Sequence, residues 1–170
     1  MIVILNGPLG VGKTETAWKL IEYFERAAIL DCDYVGGNVS TFDHQDPNSF
    51  RSTISCIVAL AKHQKVTMGI TDFVVSGVFE NSEQLSIAKS LLSEISDPVK
   101  TYLLLTKPDI LKNRVQKRMN DNVERETARA YELSRILQTA IGDLGKAFDT
   151  SNLTIKEIAE KIWKDIQLSQ

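Results

Sequence analysis

Apolar residues along this chain fall into two patterns, short unbroken runs and spacings of three and four. Met1-Ile2-Val3-Ile4-Leu5 is an unbroken run, the mark of a strand buried on both faces. Ala17, Leu20, Ile21 and Phe24 then recur at helical spacing. Ala27-Ala28-Ile29-Leu30-Asp31 reads as a second strand, and Phe73 to Val78 as a third. Between them, a polar stretch from Tyr34 to Gln45 leads to Asp46-Pro47, a cap followed by a first helical residue. Phe50, Ile54, Ile57 and Ala61 carry that helix to about Lys65, with Cys56 expected among its core residues. Asn81 or Ser82 caps the next helix, whose inner face is Leu85, Ala88, Leu92 and Ile95, and Asp97-Pro98 ends it. Thr101 to Leu105 is a fourth strand. A basic helix starts near Asp109, and the polar break Asn120-Asp121-Asn122 separates it from another. Lys146 to Asp149 reads as a short fifth strand. Thr154 and Glu157 form a capping box for a last helix with Ile158, Ile162 and Ile166 inside.

Strands and helices that alternate in this way predict an α/β fold, a parallel sheet covered on both faces. Ligands in such sheets bind beyond the carboxyl ends of the strands. The informative residues are therefore those just after each apolar run. After the first run comes Gly7-Pro8-Leu9-Gly10-Val11-Gly12-Lys13-Thr14, followed by Glu15. It fits the phosphate-loop pattern of Gly, four residues, Gly, Lys and Ser or Thr, in the required order of strand, loop and helix. Glycines let the backbone approach a phosphate, and successive amides at a helix start present it with a positive concavity. Lys13 is placed to reach terminal phosphates, and the Thr14 hydroxyl to ligate magnesium.

Composition changes this picture little. The chain has 170 residues, enough for one domain over 1–170 with a real core, and 43% hydrophobic against 25% charged residues is ordinary for a soluble protein. A formal net charge of -2 gives no field that favours nucleic acid or an anionic membrane. Cys32 and Cys56 make no disulfide framework, and His44 and His63 stand at no metal-ligand spacing. Trp18 and Trp163 are expected to pack rather than to stack on a ligand. No apolar run reaches the roughly 20 residues of a membrane span, and none resembles a signal segment. The expectation is a cytoplasmic monomer or homodimer with a small-molecule partner.

Two further groups carry chemistry. In extended chain Asp31 and Asp33 would face one way and Cys32 the other. Two carboxylates beside a magnesium nucleotide suit metal-water orientation and acceptance of a hydroxyl proton. Arg114, Arg118, Arg125 and Arg129 share a face if the helix runs through the break, or form a helical hairpin if it does not. Arginine forks stabilise the charge of a transferring phosphoryl group. Asp121, Glu124, Glu126 and Glu132 offer counter-charges, the mark of a solvated face. On the presumed acceptor side, Arg51 could meet an anion.

The chain resembles the small P-loop kinases related to shikimate kinase and gluconate kinase, with the sugar- and antibiotic-phosphorylating enzymes of that group. The resemblance rests on Gly7 to Thr14, on Asp31-Cys32-Asp33, on Leu111-x-x-Arg114-x-x-x-Arg118, and on Asp149-Thr150-Ser151-Asn152-Leu153. It implies a three-layer P-loop NTPase fold, a five-stranded parallel sheet and a helical lid at about 114–130. It implies ATP and Mg2+ bound by the loop, with Thr14 and Asp31 at the metal. It implies Asp33 as base or acceptor ligand, with Gly77 and Glu80 on the same side. Lys13, Asp33 and Arg118 would form the catalytic set, Arg114 a nucleotide-side contact, and Thr150, Ser151 and Asn152 the adenine wall. The expected activity is transfer of the γ-phosphate of ATP to a hydroxyl of a small metabolite or antibiotic. A nucleoside or nucleotide kinase, and a non-catalytic nucleotide-binding module, are the alternatives. The pattern departs from shikimate kinase at Ser76-Gly77-Val78-Phe79-Glu80 and in the lid, and Gly36 to Gln64 matches no acceptor signature. Thr106-Lys107-Pro108-Asp109 fits a guanine-reading pattern, but Asp33 follows the loop too closely to leave room for a switch region.

Overall fold

The computed structural model describes residues 1–36, 43, 46–117 and 122–168. Five strands form one sheet: β1 (Ile2–Asn6), β2 (Ala27–Asp31), β3 (Asp72–Gly77), β4 (Val99–Leu105) and β5 (Lys146–Asp149). Their order is β2-β3-β1-β4-β5, and every pair is parallel. The helices are α1 (Lys13–Leu20), α2 (Cys32–Gly36), α3 (Pro47–Met68), α4 (Ser82–Ser93), α5 (Pro108–Gln116), α6 (Val123–Thr139) and α7 (Ile155–Leu168). Side chains alternate across a strand, so each apolar run feeds two cores. Ile2 and Ile4, with Phe73 and Val75, pack on the α3–α4 side together with Ile54, Ile57, Leu85 and Leu92. Val3 and Leu5, with Val74 and Leu104, pack against Ala17 and Leu20 of α1 and Ile158 and Ile162 of α7. The three-layer arrangement is the one the alternation predicts.

Local signals also hold. Asp46 caps α3 by accepting from the amides of Asn48 (3.0 Å) and Ser49 (3.1 Å), and Pro47 opens the helix. Asn81 caps α4 through the Gln84 amide at 2.9 Å. The Thr154–Glu157 box closes from both ends: the Thr154 amide donates to Glu157 at 2.8 Å, and the Glu157 amide to Thr154 at 3.3 Å.

Three expectations fail, each through periodicity. Cys56 is exposed, because the buried face of α3 is Thr53, Ile54, Ile57, Val58 and Ala61, and position 56 turns away from it. Trp18 is 62% exposed, on the outer side of α1 from Ala17 and Leu20. Trp163 does pack, stacked on Tyr23 and edge-on to Phe24. The strand alternation expected for Asp31 and Asp33 stops at Asp31, because the chain turns helical at Cys32. The break after the basic helix separates α5 from α6, which pack on each other as a helical hairpin. No described helix is long and apolar enough to cross a membrane.

Candidate active site

All five strands point their carboxyl ends at one edge. The phosphate loop leaves the central strand β1, with β2 and β3 to one side and β4 and β5 to the other. Two of its glycines are forced. A Cβ on Gly7 would stand 2.6 Å from the Leu104 carbonyl oxygen, and one on Gly10, at φ +80°, 2.6 Å from Val115 Cγ2. The loop is thus wedged between β4 and α5. Lys13 is buried and curls back, Nζ donating to the carbonyls of Gly7 (2.9 Å) and Pro8 (3.2 Å).

Asn6, the last residue of β1, anchors the loop and is fully buried. Its Oδ1 accepts from the amides of Gly7 (2.8 Å) and Phe79 (2.9 Å), and its Nδ2 donates to the Phe79 carbonyl at 3.0 Å. One side chain therefore fixes the start of the phosphate loop to the segment after β3. Sequence reasoning ended the strand at Leu5, began the loop at Gly7 and passed over Asn6. A polar residue closing an apolar run was the available signal.

The two aspartates separate into different surroundings. Asp31 is held at both oxygens: Oδ2 accepts from Thr14 Oγ1 at 3.1 Å and Oδ1 from the Asp33 amide at 2.9 Å. Asp33, one helical step on, lines a cavity of about 510 Å³. Cys32 lines it too, contrary to the strand-based expectation that it faces away. Its thiol pKa is pushed up by burial and, secondarily, by the carboxylates of Asp33 and Asp31. The remaining wall comes from Leu9 of the loop, from Phe50, Thr53 and Ile54 of α3, from Val78 and Glu80 after β3, and from Gln84 of α4 and Asn122 before α6. Arg125, Glu126, Arg129 and Leu133 of α6 close it.

The arginines divide as well. Arg114 bridges three elements, donating to the Val11 carbonyl (3.1 Å) and to the side chain (3.3 Å) and carbonyl (3.1 Å) of Thr150. Arg129 reaches the cavity but is paired with Glu80 and, at 2.7 Å, with Glu132. Burial works against its charge; the Glu132 hydrogen bond and the two carboxylates outweigh that and raise its pKa above the ordinary arginine value. Arg118 lies outside the described residues. Arg51 is exposed and Gly77 packs beneath Cys32; neither lines the cavity.

Beyond β4 and β5, Thr150 is buried, its amide and hydroxyl both donating to the Leu105 carbonyl, at 2.7 and 3.0 Å. Ser151 Oγ accepts from the Lys107 amide at 3.0 Å. These bonds make Thr150 and Ser151 part of a fixed wall beside the loop.

The donor chemistry fits a magnesium nucleotide. A glycine loop at a helix N-terminus and a buried ammonium suit phosphates. The converging hydroxyl of Thr14 and carboxylate of Asp31 are hard oxygen ligands of the kind Mg2+ takes, usually alongside water. No group of three His, Cys, Asp or Glu residues among the described residues forms a cage able to hold a metal by itself.

No protein-family model matches the chain, and no curated protein matches it by sequence. Solved structures do. The tunicamycin resistance protein of Deinococcus radiodurans superimposes with a TM-score of 0.69 at 19% identity, covering 97% of this chain and 94% of that one. Shikimate kinase from Acinetobacter baumannii, in complex with shikimate, gives 0.66 at 17% identity over 99% and 94% of the two chains. The YorR protein of Bacillus subtilis, in complex with phosphorylated GDP, gives 0.65 at 18% identity over 99% and 97%. The chain therefore has the three-layer fold of a small P-loop kinase, and the resemblance read from its motifs holds for the fold.

Proposed function

We propose that this chain is an ATP-dependent phosphotransferase that carries the γ-phosphate to a hydroxyl of a small molecule in the cytoplasm. The supporting observation is a division of labour at one sheet edge. Thr14 and Asp31 pair beside the phosphate loop, and Asp33 lines the neighbouring cavity. The donor binds along Gly7 to Thr14, with Thr150 to Asn152 beside its base and Arg114 holding the loop to that wall. Thr14 and Asp31 would hold Mg2+, which would supply charge neutralisation at the phosphates. In the cavity Asp33 orients the acceptor hydroxyl and takes its proton. The acceptor oxygen forms its bond to phosphorus as the bond to the ADP oxygen breaks. Lys13, drawn off the loop carbonyls, stabilises the equatorial oxygens, with Arg118 from the lid segment at about 114–130.

Release of ADP across a panel of sugars, nucleosides and antibiotics, against a blank without acceptor, tests the reading. Lys13→Ala is expected to abolish acceptor-dependent ADP release; unchanged turnover refutes the assignment. Asp33→Asn should lower kcat by about a hundredfold or more, the worth of a general base, and leave ATP affinity nearly intact. Equal loss of both would remove Asp33 from that role.

A further inference from the structure

We propose that the cavity beside Asp33 takes an uncharged acceptor, a hydroxyl compound with a sizeable apolar body, and rejects acceptors that carry a carboxylate or phosphate. The inference rests on the phosphotransferase reading for the hydroxyl and on the cavity alone for the charge. About 510 Å³ lies within the range of roughly 300–1,000 Å³ that holds a drug-sized molecule. Leu9, Phe50, Ile54, Val78 and Leu133 give it an apolar floor and sides. Its described charged groups are the carboxylates of Asp33, Glu80 and Glu126 and the guanidinium groups of Arg125 and Arg129, so carboxylates outnumber cations there by three to two.

Recognition of an anion in a partly buried site calls for a guanidinium fork free to meet it. Arg129, the half-buried one, already has its forks on Glu80 and Glu132. An anionic acceptor would have to displace Glu80 and leave that carboxylate, itself three-quarters buried, without its cation. Arg125 is exposed, where water and salt weaken its pull, and Glu126 follows it in the chain. A neutral hydroxyl compound meets none of these costs. It covers the apolar wall and gives its hydroxyl proton to Asp33.

Matched pairs that differ in charge test this: hexyl β-glucoside against hexyl β-glucuronide, uridine against uridine 5′-monophosphate, and shikimate methyl ester against shikimate. Binding is read by calorimetry with ADP and Mg2+ present, and ADP release from ATP is followed in parallel. The expected result is that at least one neutral member binds, and that it binds about tenfold or more tightly than its charged partner, the cost of an unmet charge. Equal or tighter binding of the charged member overturns the proposal, and so does failure of every neutral member to bind. The variant Glu80→Gln/Glu132→Gln frees Arg129 and should narrow the preference severalfold; a preference unchanged in that variant overturns the electrostatic argument. Neutral compounds that bind without ADP release would retire phosphotransfer and leave the acceptor class standing, so the two failures are separable.

Discussion

Replacing Asn6 by alanine removes a buried side chain that ties the phosphate loop to the segment after β3. Three hydrogen bonds are lost, and the change strands the amides of Gly7 and Phe79 and the carbonyl of Phe79. Asn6 has no exposed surface, so bulk water does not reach these groups in the native state. A buried amide or carbonyl left without a partner costs about 1–3 kcal/mol. Taking the low end for each of the three groups, since a water can enter the space left behind, puts the loss at about 3 kcal/mol. That is a large share of the ~5–15 kcal/mol stability of an ordinary domain. With a urea m-value near 2 kcal/mol/M, the midpoint should fall by about 1.5 M. Chemical denaturation followed by circular dichroism measures it. Asn6→Asp is the control: it keeps an acceptor for both amides, loses the donor to Phe79 and adds a charge in a buried place. A midpoint shift below about 0.5 M for Asn6→Ala would refute the anchoring role. A shift of the expected size with unaltered ATP binding would show that the anchor serves stability alone.

Two other predictions follow from Cys32. A Cβ on Gly77 would lie 2.7 Å from Cys32 Sγ, so Gly77→Ala should cost about 1–3 kcal/mol by overpacking. Adding Cys32→Ala should return most of that loss in a thermal or urea melt, and strictly additive losses would contradict the contact. The raised thiol pKa keeps Cys32 protonated at pH 8, and the thiolate is the reactive form. Exposed Cys56 should therefore be alkylated by iodoacetamide well before Cys32, as read by peptide mass spectrometry; equal rates would contradict the raised thiol pKa.

The fold was legible because its signals are local and repeated. Unbroken apolar runs mark central parallel strands, and the caps at Asp46, Asn81 and Thr154 mark helix starts whose bonds do form. The phosphate loop was legible for the same reason, since eight consecutive residues carry both its conformation and its chemistry. What escaped depends on contacts distant in sequence. Asn6 acts through Phe79, Arg114 through Val11 and Thr150, and Arg129 through Glu80, pairs separated by 36 to 103 positions. Asp31 and Asp33 show the intermediate case. Their types and place were readable, but not the helical turn at Cys32 that sends one to Thr14 and the other to the cavity.

That turn is also what makes the two halves of the site separable. Had β2 continued through Asp33, both carboxylates would crowd one side of the strand and repel each other near the phosphates. Ending the strand at Asp31 lets the Asp33 amide bond back to Asp31 at 2.9 Å, so the carboxylate beside Thr14 is fixed by the backbone of the residue that lines the cavity. The phosphate loop is in turn fixed to the segment after β3 through Asn6 and Phe79. The loop, β2 and the segment after β3 are thus joined by short backbone anchors, and the cavity takes side chains from α3 and α6 as well as from Leu9, Cys32, Asp33, Val78, Glu80 and Gln84. Change in those two helices can alter what fills the cavity and leave the loop, its lysine and the Thr14–Asp31 pair in place. Gly7 to Thr14 accordingly fit a general phosphate-loop pattern, and the residues between Gly36 and Gln64 match no acceptor signature.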